Sequence, residues 1–178
     1  ISGHKVHAPK GIGALYIKSG IDIENFIFGG SQERSRRAGT ENVAGIVGFS
    51  KAIDILRKSI DINISKRFSL RDYFLTKLQD NIPKYVINGS LDNRASGNIN
   101  ISFPGVDKEM IIMSMDLRGI CISGGSACSS GAVKNSHVLE SMGLDDELKN
   151  SAIRISFSEN NSFEEIDEFI IALKEIID

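Results

Sequence analysis

Asn98-Ile99-Asn100-Ile101-Ser102-Phe103-Pro104-Gly105 is the stretch on which the fold class turns. Ile99, Ile101 and Phe103 alternate with Asn100 and Ser102, the period of a half-buried strand, and Pro104-Gly105 stops it. A second alternating run, Ile153, Ile155 and Phe157, places Arg154 and Ser156 on its opposite face. Strands that are apolar on one face need helices to cover that face. The chain supplies them: Ile46, Phe49, Ile53, Leu56 and Ile60 recur at three- and four-residue steps, and Phe68, Leu75, Leu78 and Ile82 continue the stripe. Asp61, Asn63 and Ser65 are expected to interrupt or kink that helix. Tyr85-Val86-Ile87 reads as a short strand ending at Asn88-Gly89, and Ile120-Cys121-Ile122 as another that runs into a glycine- and serine-rich loop. Asp107 would cap a helix through Met110, Ile111, Met115 and Leu117, and Ser136 a short one ending at Gly143. The last helix opens with the capping box Ser162-x-x-Glu165 and carries Ile166, Phe169, Ile170 and Leu173. The pattern is α+β, a small sheet of a few strands covered by helices.

Ahead of this, residues 1–42 are glycine-rich and loop-like around one expected strand, Gly13–Lys18. Such residues build no core alone, and they read as the rim of a larger domain. The chain opens at Ile1 with no element before Ser2-Gly3-His4-Lys5, which reads as a start in mid-protein. The division expected is 1–42 as the remnant of a large domain, and 43–178 as a connecting helix with a small domain able to bury its own core.

The 178 residues are 41% hydrophobic and 25% charged with three prolines, which excludes a disordered or collagen-like chain. Two cysteines are too few for a disulfide scaffold and point to a reducing cytosol. A net charge of −2 gives a nucleic-acid role no support. The charge is uneven: residues 101–178 hold six basic and 14 acidic side chains, read as a solvated acidic helix face or as a docking surface for a basic partner. No apolar run reaches the roughly 18 residues of a membrane span.

Several residues are candidates for chemistry. Lys5 follows Ser2-Gly3-His4, and a lysine that forms a Schiff base must shed its proton, which nearby cations favour. Lys10 competes for that role, and the plain reading of either is a surface lysine. Ser2 and His4 offer donors to an anion. Gly29–Asn42 combines Arg34, Arg36 and Arg37 with glycines ahead of a helix, as a phosphate-binding turn or as a basic turn capped by Thr40 or Asn42. Cys128 sits among glycines, serines and alanine, whereas Cys121 is enclosed by Ile120 and Ile122, so Cys128 is the more reactive candidate. Two cysteines seven residues apart and three histidines make no zinc pattern. Arg154 has a fork suited to a carboxylate, or simply faces solvent.

Taken together, Ser2-Gly3-His4-Lys5-Val6-His7-Ala8-Pro9-Lys10-Gly11-Ile12-Gly13-Ala14-Leu15, Gly29–Asn42, Ser126-Ala127-Cys128-Ser129-Ser130-Gly131 and Ala152-Ile153-Arg154-Ile155-Ser156 resemble the pyridoxal-phosphate-dependent cysteine desulfurases of aminotransferase class V. Ala8 and Ser158 depart from residues common in that family. The resemblance implies the C-terminal part of a fold-type I α/β transferase, cytoplasmic and homodimeric. Lys5 would hold pyridoxal 5'-phosphate covalently, with Ser2 and His4 on its phosphate and Thr40 reaching the phosphate in the neighbouring subunit. Arg154 would take the carboxylate of L-cysteine. Cys128 would receive the sulfur as a persulfide, leaving alanine, and would pass it to an acceptor for iron–sulfur cluster assembly or tRNA thiolation. Cys128 is also a candidate transient iron–sulfur ligand with a scaffold partner. The family's ring-stacking histidine and pyridine-nitrogen aspartate fall ahead of Ile1, so these residues alone are expected to be inactive. Selenocysteine lyase and a non-catalytic binding module are the alternatives.

Overall fold

The computed structural model describes residues 1–125 and 136–177. The chain forms two compact units, Ile1–Ile60 and Asp61–Asp178. In the first, a 3-10 turn Gly3–Val6 and a single turn α1 (Gln32–Ser35) precede the long helix α2 (Val43–Asn81), within which the division falls. Beyond α2 the order is β1 (Val86–Ile87), β2 (Asn98–Ser102), α3 (Lys108–Asp116), α4 (His137–Ser141), α5 (Asp146–Asn150), β3 (Ala152–Ser156) and α6 (Phe163–Ile177).

Asn42 accepts from the Gly45 amide at 3.0 Å at the start of α2. The expected break at 61–65 does not occur. The Ser65 hydroxyl donates to the Asp61 carbonyl at 2.9 Å, and Ser59 does the same to Ile55 at 3.2 Å, so these polar residues bond within the helix. Burial along α2 is uneven. Leu70, Phe74 and Leu78 are buried, while Val43, Val47, Ile55 and Ile62 are exposed.

The sheet is antiparallel in the order β1-β2-β3. Its register pairs Ile99 with Ile155 and Ile101 with Ile153 on one face, and Asn100 with Arg154 and Asn98 with Ser156 on the other. The apolar face belongs to a single core with Leu70, Phe74, Leu78, Ile111, Met115, Phe169 and Leu173. Phe74 stands 5.6 Å, ring to ring, from both Phe157 and Phe169. Asp107 caps α3 through the Glu109 amide at 2.7 Å, and the Ser162–Glu165 box closes in both directions at 3.1 and 3.3 Å.

Two expected strands are absent. Across Gly13–Lys18 only Gly13 bridges, to Ser2, and Leu15 and Tyr16 are exposed, because no second strand extends the ladder. At Ile120–Ile122 the chain is still tied to α3: Gly119 takes a left-handed φ of 75° and the Ile120 amide donates to the Met115 carbonyl. Backbone pairing with β3 begins only at Ser123, opposite Arg154. Helix α5 was not foreseen. Its cap is Asp145, which accepts from the Leu148 amide at 2.8 Å. Ser136 precedes α4 without a side-chain cap bond.

Candidate active site

The Lys5 turn is built by a short antiparallel crossing. The Gly3 amide donates to the Ile12 carbonyl and the Ala14 amide to the Ile1 carbonyl, both at 2.9 Å. The turn then closes through the Lys5 amide on the Ser2 carbonyl at 3.1 Å, with His7 left-handed at φ 63°. Gly3 is buried, and a Cβ there would meet the Ile12 carbonyl oxygen at 2.7 Å. Ser2, His4 and Lys5 all lie exposed on this turn, and the Ser2 hydroxyl does not cap it. Three exposed polar residues thus share one turn whose packing leaves no room for a Cβ at Gly3. Lys10 is exposed in the following segment, outside the turn. Gly3→Ala should therefore displace the turn, at a cost of about 1–3 kcal/mol in the stability of the complete protein. Denaturant unfolding checks this, and an unchanged midpoint would contradict the geometry.

The arginine-rich loop is closed on itself. The Gly39 amide donates to the Gln32 side chain at 3.1 Å and the Asn25 side-chain amide to the Ser35 carbonyl at 2.6 Å. Glu33, Arg34 and Ser35 are left-handed, at φ 51°, 59° and 63°, a conformation that costs side-chain-bearing residues free energy. Asn42, not Thr40, is the cap of α2, which leaves Thr40 exposed just ahead of the helix.

Arg154 belongs to the other unit. It lies on the polar face of β3, bridged to Ser123 through its backbone amide at 2.5 Å. It lines a cavity of about 470 Å³ together with Asn88, Arg94, Asn98, Asn100, Gly125 and His137. Arg154 Nε is buried without a hydrogen-bond partner. A network fixes the polar floor. Asn88 donates to Asn100 at 2.7 Å and to Ser102 at 2.8 Å, and the Ser102 hydroxyl donates to the Leu148 carbonyl at 2.7 Å. Arg94 borders the same space, and burial, followed by the Arg71 charge, lowers its hold on its proton. Sequence reading missed Asn88, Arg94 and Asn100, although the polar phase of the β2 alternation already carried Asn100.

Cys128 lies outside the described residues. Cys121 is exposed, contrary to its expected enclosure, because the strand that would have buried it does not form. It lines a second cavity of about 340 Å³ with Phe74, Phe157 and Phe169. Among the described residues no group of three or more histidine, cysteine, aspartate or glutamate side chains could hold a metal ion. No helix among them is long and apolar enough to cross a membrane.

The aminotransferase class-V family model matches residues 1–169. The chain belongs to that family. It is 43% identical to a cysteine desulfurase of Dictyoglomus turgidum and 44% identical to one of Nostoc, in each case over all 178 residues. It spans about 45% and 44% of the length of those two relatives. A solved NifS-like protein superposes with a TM-score of 0.86 at 33% identity, covering 99% of this chain and 44% of its own. A NifS-like protein from Rickettsia africae superposes with a TM-score of 0.76 at 35% identity, covering 88% of this chain and 40% of its own. Mixed helices around a small antiparallel sheet therefore agree with the expected C-terminal part of a class-V fold.

Proposed function

We propose that these residues form the C-terminal part of a cysteine desulfurase, which converts L-cysteine to L-alanine and holds the sulfur as a persulfide. The observation that carries the reading is the match of the whole chain to proteins named for that activity at 43–44% identity. A solved relative of 28% identity, with a TM-score of 0.60, is described in complex with cysteine. On this reading residues 1–42 belong to the large domain, and 43–178 to the connecting helix and small domain.

The donor set of the Lys5 turn fits pyridoxal 5'-phosphate. A primary amine stands beside a hydroxyl and an imidazole, and Gly3 keeps the backbone beneath them close-packed. When bound, that group supplies an electron sink for bonds at the substrate Cα. Lys5 is the residue to hold it and then to move protons at that carbon, with Ser2 and His4 on its phosphate and, in a homodimer, Thr40 on the phosphate in the neighbouring subunit. The Arg154 guanidinium, which lines the cavity on the polar face of β3, orients the substrate carboxylate. The Cys128 thiolate attacks the substrate sulfur: an S–S bond forms, the substrate Cβ–S bond breaks, and its electron pair stays with the carbon, which takes up a proton and leaves as alanine. The persulfide then passes to an acceptor protein in the cytoplasm.

The complete enzyme with pyridoxal phosphate and L-cysteine should release alanine, and sulfide once a thiol reductant is present, in equal amounts. A cofactor-loaded protein that leaves L-cysteine unchanged would overturn the reading.

A further inference from the structure

Helix α3 buries one face and leaves the opposite one open. Ile111 and Met115 lie in the core, whereas Met110, Met113 and Leu117 are 46%, 66% and 88% exposed. Those three stand at i, i+3 and i+7, and the Leu117 amide still donates to the Met113 carbonyl at 3.1 Å, so they form one stripe along the helix. Met113 is its centre. Its neighbours three and four residues away in each direction are Met110 and Glu109 before it, and Asp116 and Leu117 after it. All four are exposed, two apolar and two acidic.

Among the described residues no ion pair joins Glu109 or Asp116 to a cation. Arg118 is bound to Glu175 at 3.1 Å, and the Lys108 stem lies with Ile112 beside Gly124, away from the stripe. None of the five residues lines the Arg154 cavity or the Cys121 cavity. Neighbouring apolar side chains left in water mark an interaction surface. A face that packs permanently against the rest of its own protein sheds its charges, whereas carboxylates beside an apolar stripe are the pattern of a separate, transient partner. Methionine, unbranched and adaptable, suits such a surface.

We propose that Met110, Met113 and Leu117, with Glu109 and Asp116 beside them, are a docking surface for a basic amphipathic helix of a partner protein. The apolar side chains of that helix lie along the stripe, and its lysines or arginines meet the two carboxylates. Charge selects the partner: residues 101–178 carry 14 acidic side chains against six basic, so an acidic helix is repelled. Three apolar side chains make a small contact, of the weak and reversible class. The surface goes beyond the desulfurase reading and uses none of the residues assigned to it.

Methionine-methyl NMR on the complete protein tests this. A soluble paramagnetic agent should broaden the Met110 and Met113 signals and spare that of Met115, which is fully buried. A helical peptide of leucine and lysine, about 15 residues long, should shift the first two signals and shield them from the agent. It should bind about tenfold or more tightly than its leucine–glutamate counterpart. Met113→Gln, and separately Glu109→Gln with Asp116→Asn, should each weaken the lysine peptide about tenfold, while Glu164→Gln with Glu168→Gln on α6 leaves its affinity within about twofold. All five side chains are exposed, so these variants leave the core intact. Met110 and Met113 signals already shielded before peptide is added would show that the rest of the protein or a second copy covers the stripe, and would overturn the proposal. A lysine peptide that shifts neither signal, equal affinities for the two peptides, or an α6 variant that weakens binding as much as the α3 variants would overturn it too.

Discussion

In the complete enzyme, Lys5→Ala should lose covalently held pyridoxal phosphate and slow cysteine turnover by about 10³-fold or more. Lys5 stands on a turn whose geometry is fixed at both ends, by the Ser2–Gly13 bridge and by left-handed His7. The backbone that carries its exposed amine is therefore fixed. Lys10 has no such frame, so Lys10→Ala should keep the cofactor. Borohydride reduction followed by peptide mapping reads the difference directly. A pyridoxyl group on Lys10 would sink the assignment, and so would a Lys5→Ala enzyme that keeps its absorption band.

Cys128→Ala should stop sulfide release while the cofactor absorption stays intact. Cys121 is exposed, and what sets it apart is the cavity it lines. Gly125 and Ser136, which flank the segment containing Cys128, both line the Arg154 cavity, whereas Cys121 lines the other one, among phenylalanines. Persulfide should accordingly be mapped to Cys128 after L-cysteine is added, and Cys121→Ser should turn over at close to the unaltered rate. Turnover persisting in Cys128→Ala would exclude the nucleophilic role, and a persulfide on Cys121 would reverse the assignment.

What could be read in advance follows from where the physics is local. Period-two alternation identified β2 and β3 and put Arg154 on the polar face, since a strand has no other way to bury Ile153 and Ile155. The caps at Asp107 and Ser162 were legible because each is a two-residue interaction within one turn. Ser65 misled, because a serine reads alike whether it breaks a helix or bonds back to the carbonyl four residues earlier. Ile120–Ile122 misled for a tertiary reason, since its first amide is claimed by the end of α3. Arg94 could not be seen at all. It comes to border the Arg154 cavity through the Asn88–Ser90 turn it bonds to, a tertiary placement that no sequence pattern records.

The pairing of Asn100 with Arg154 has a consequence for how this half of the molecule can fail. The same register that seats Ile99 against Ile155 and Ile101 against Ile153 also turns Arg154 toward its cavity. Sliding β3 by one residue would carry a guanidinium into the core and an isoleucine into the cavity, and both exchanges are strongly unfavourable. No misregistered form can therefore survive as a well-folded but inactive population. If Arg154 takes the role proposed for it, partial activity in a damaged preparation of the complete enzyme should report a smaller number of correctly folded molecules, and active-site titration would count folded protein.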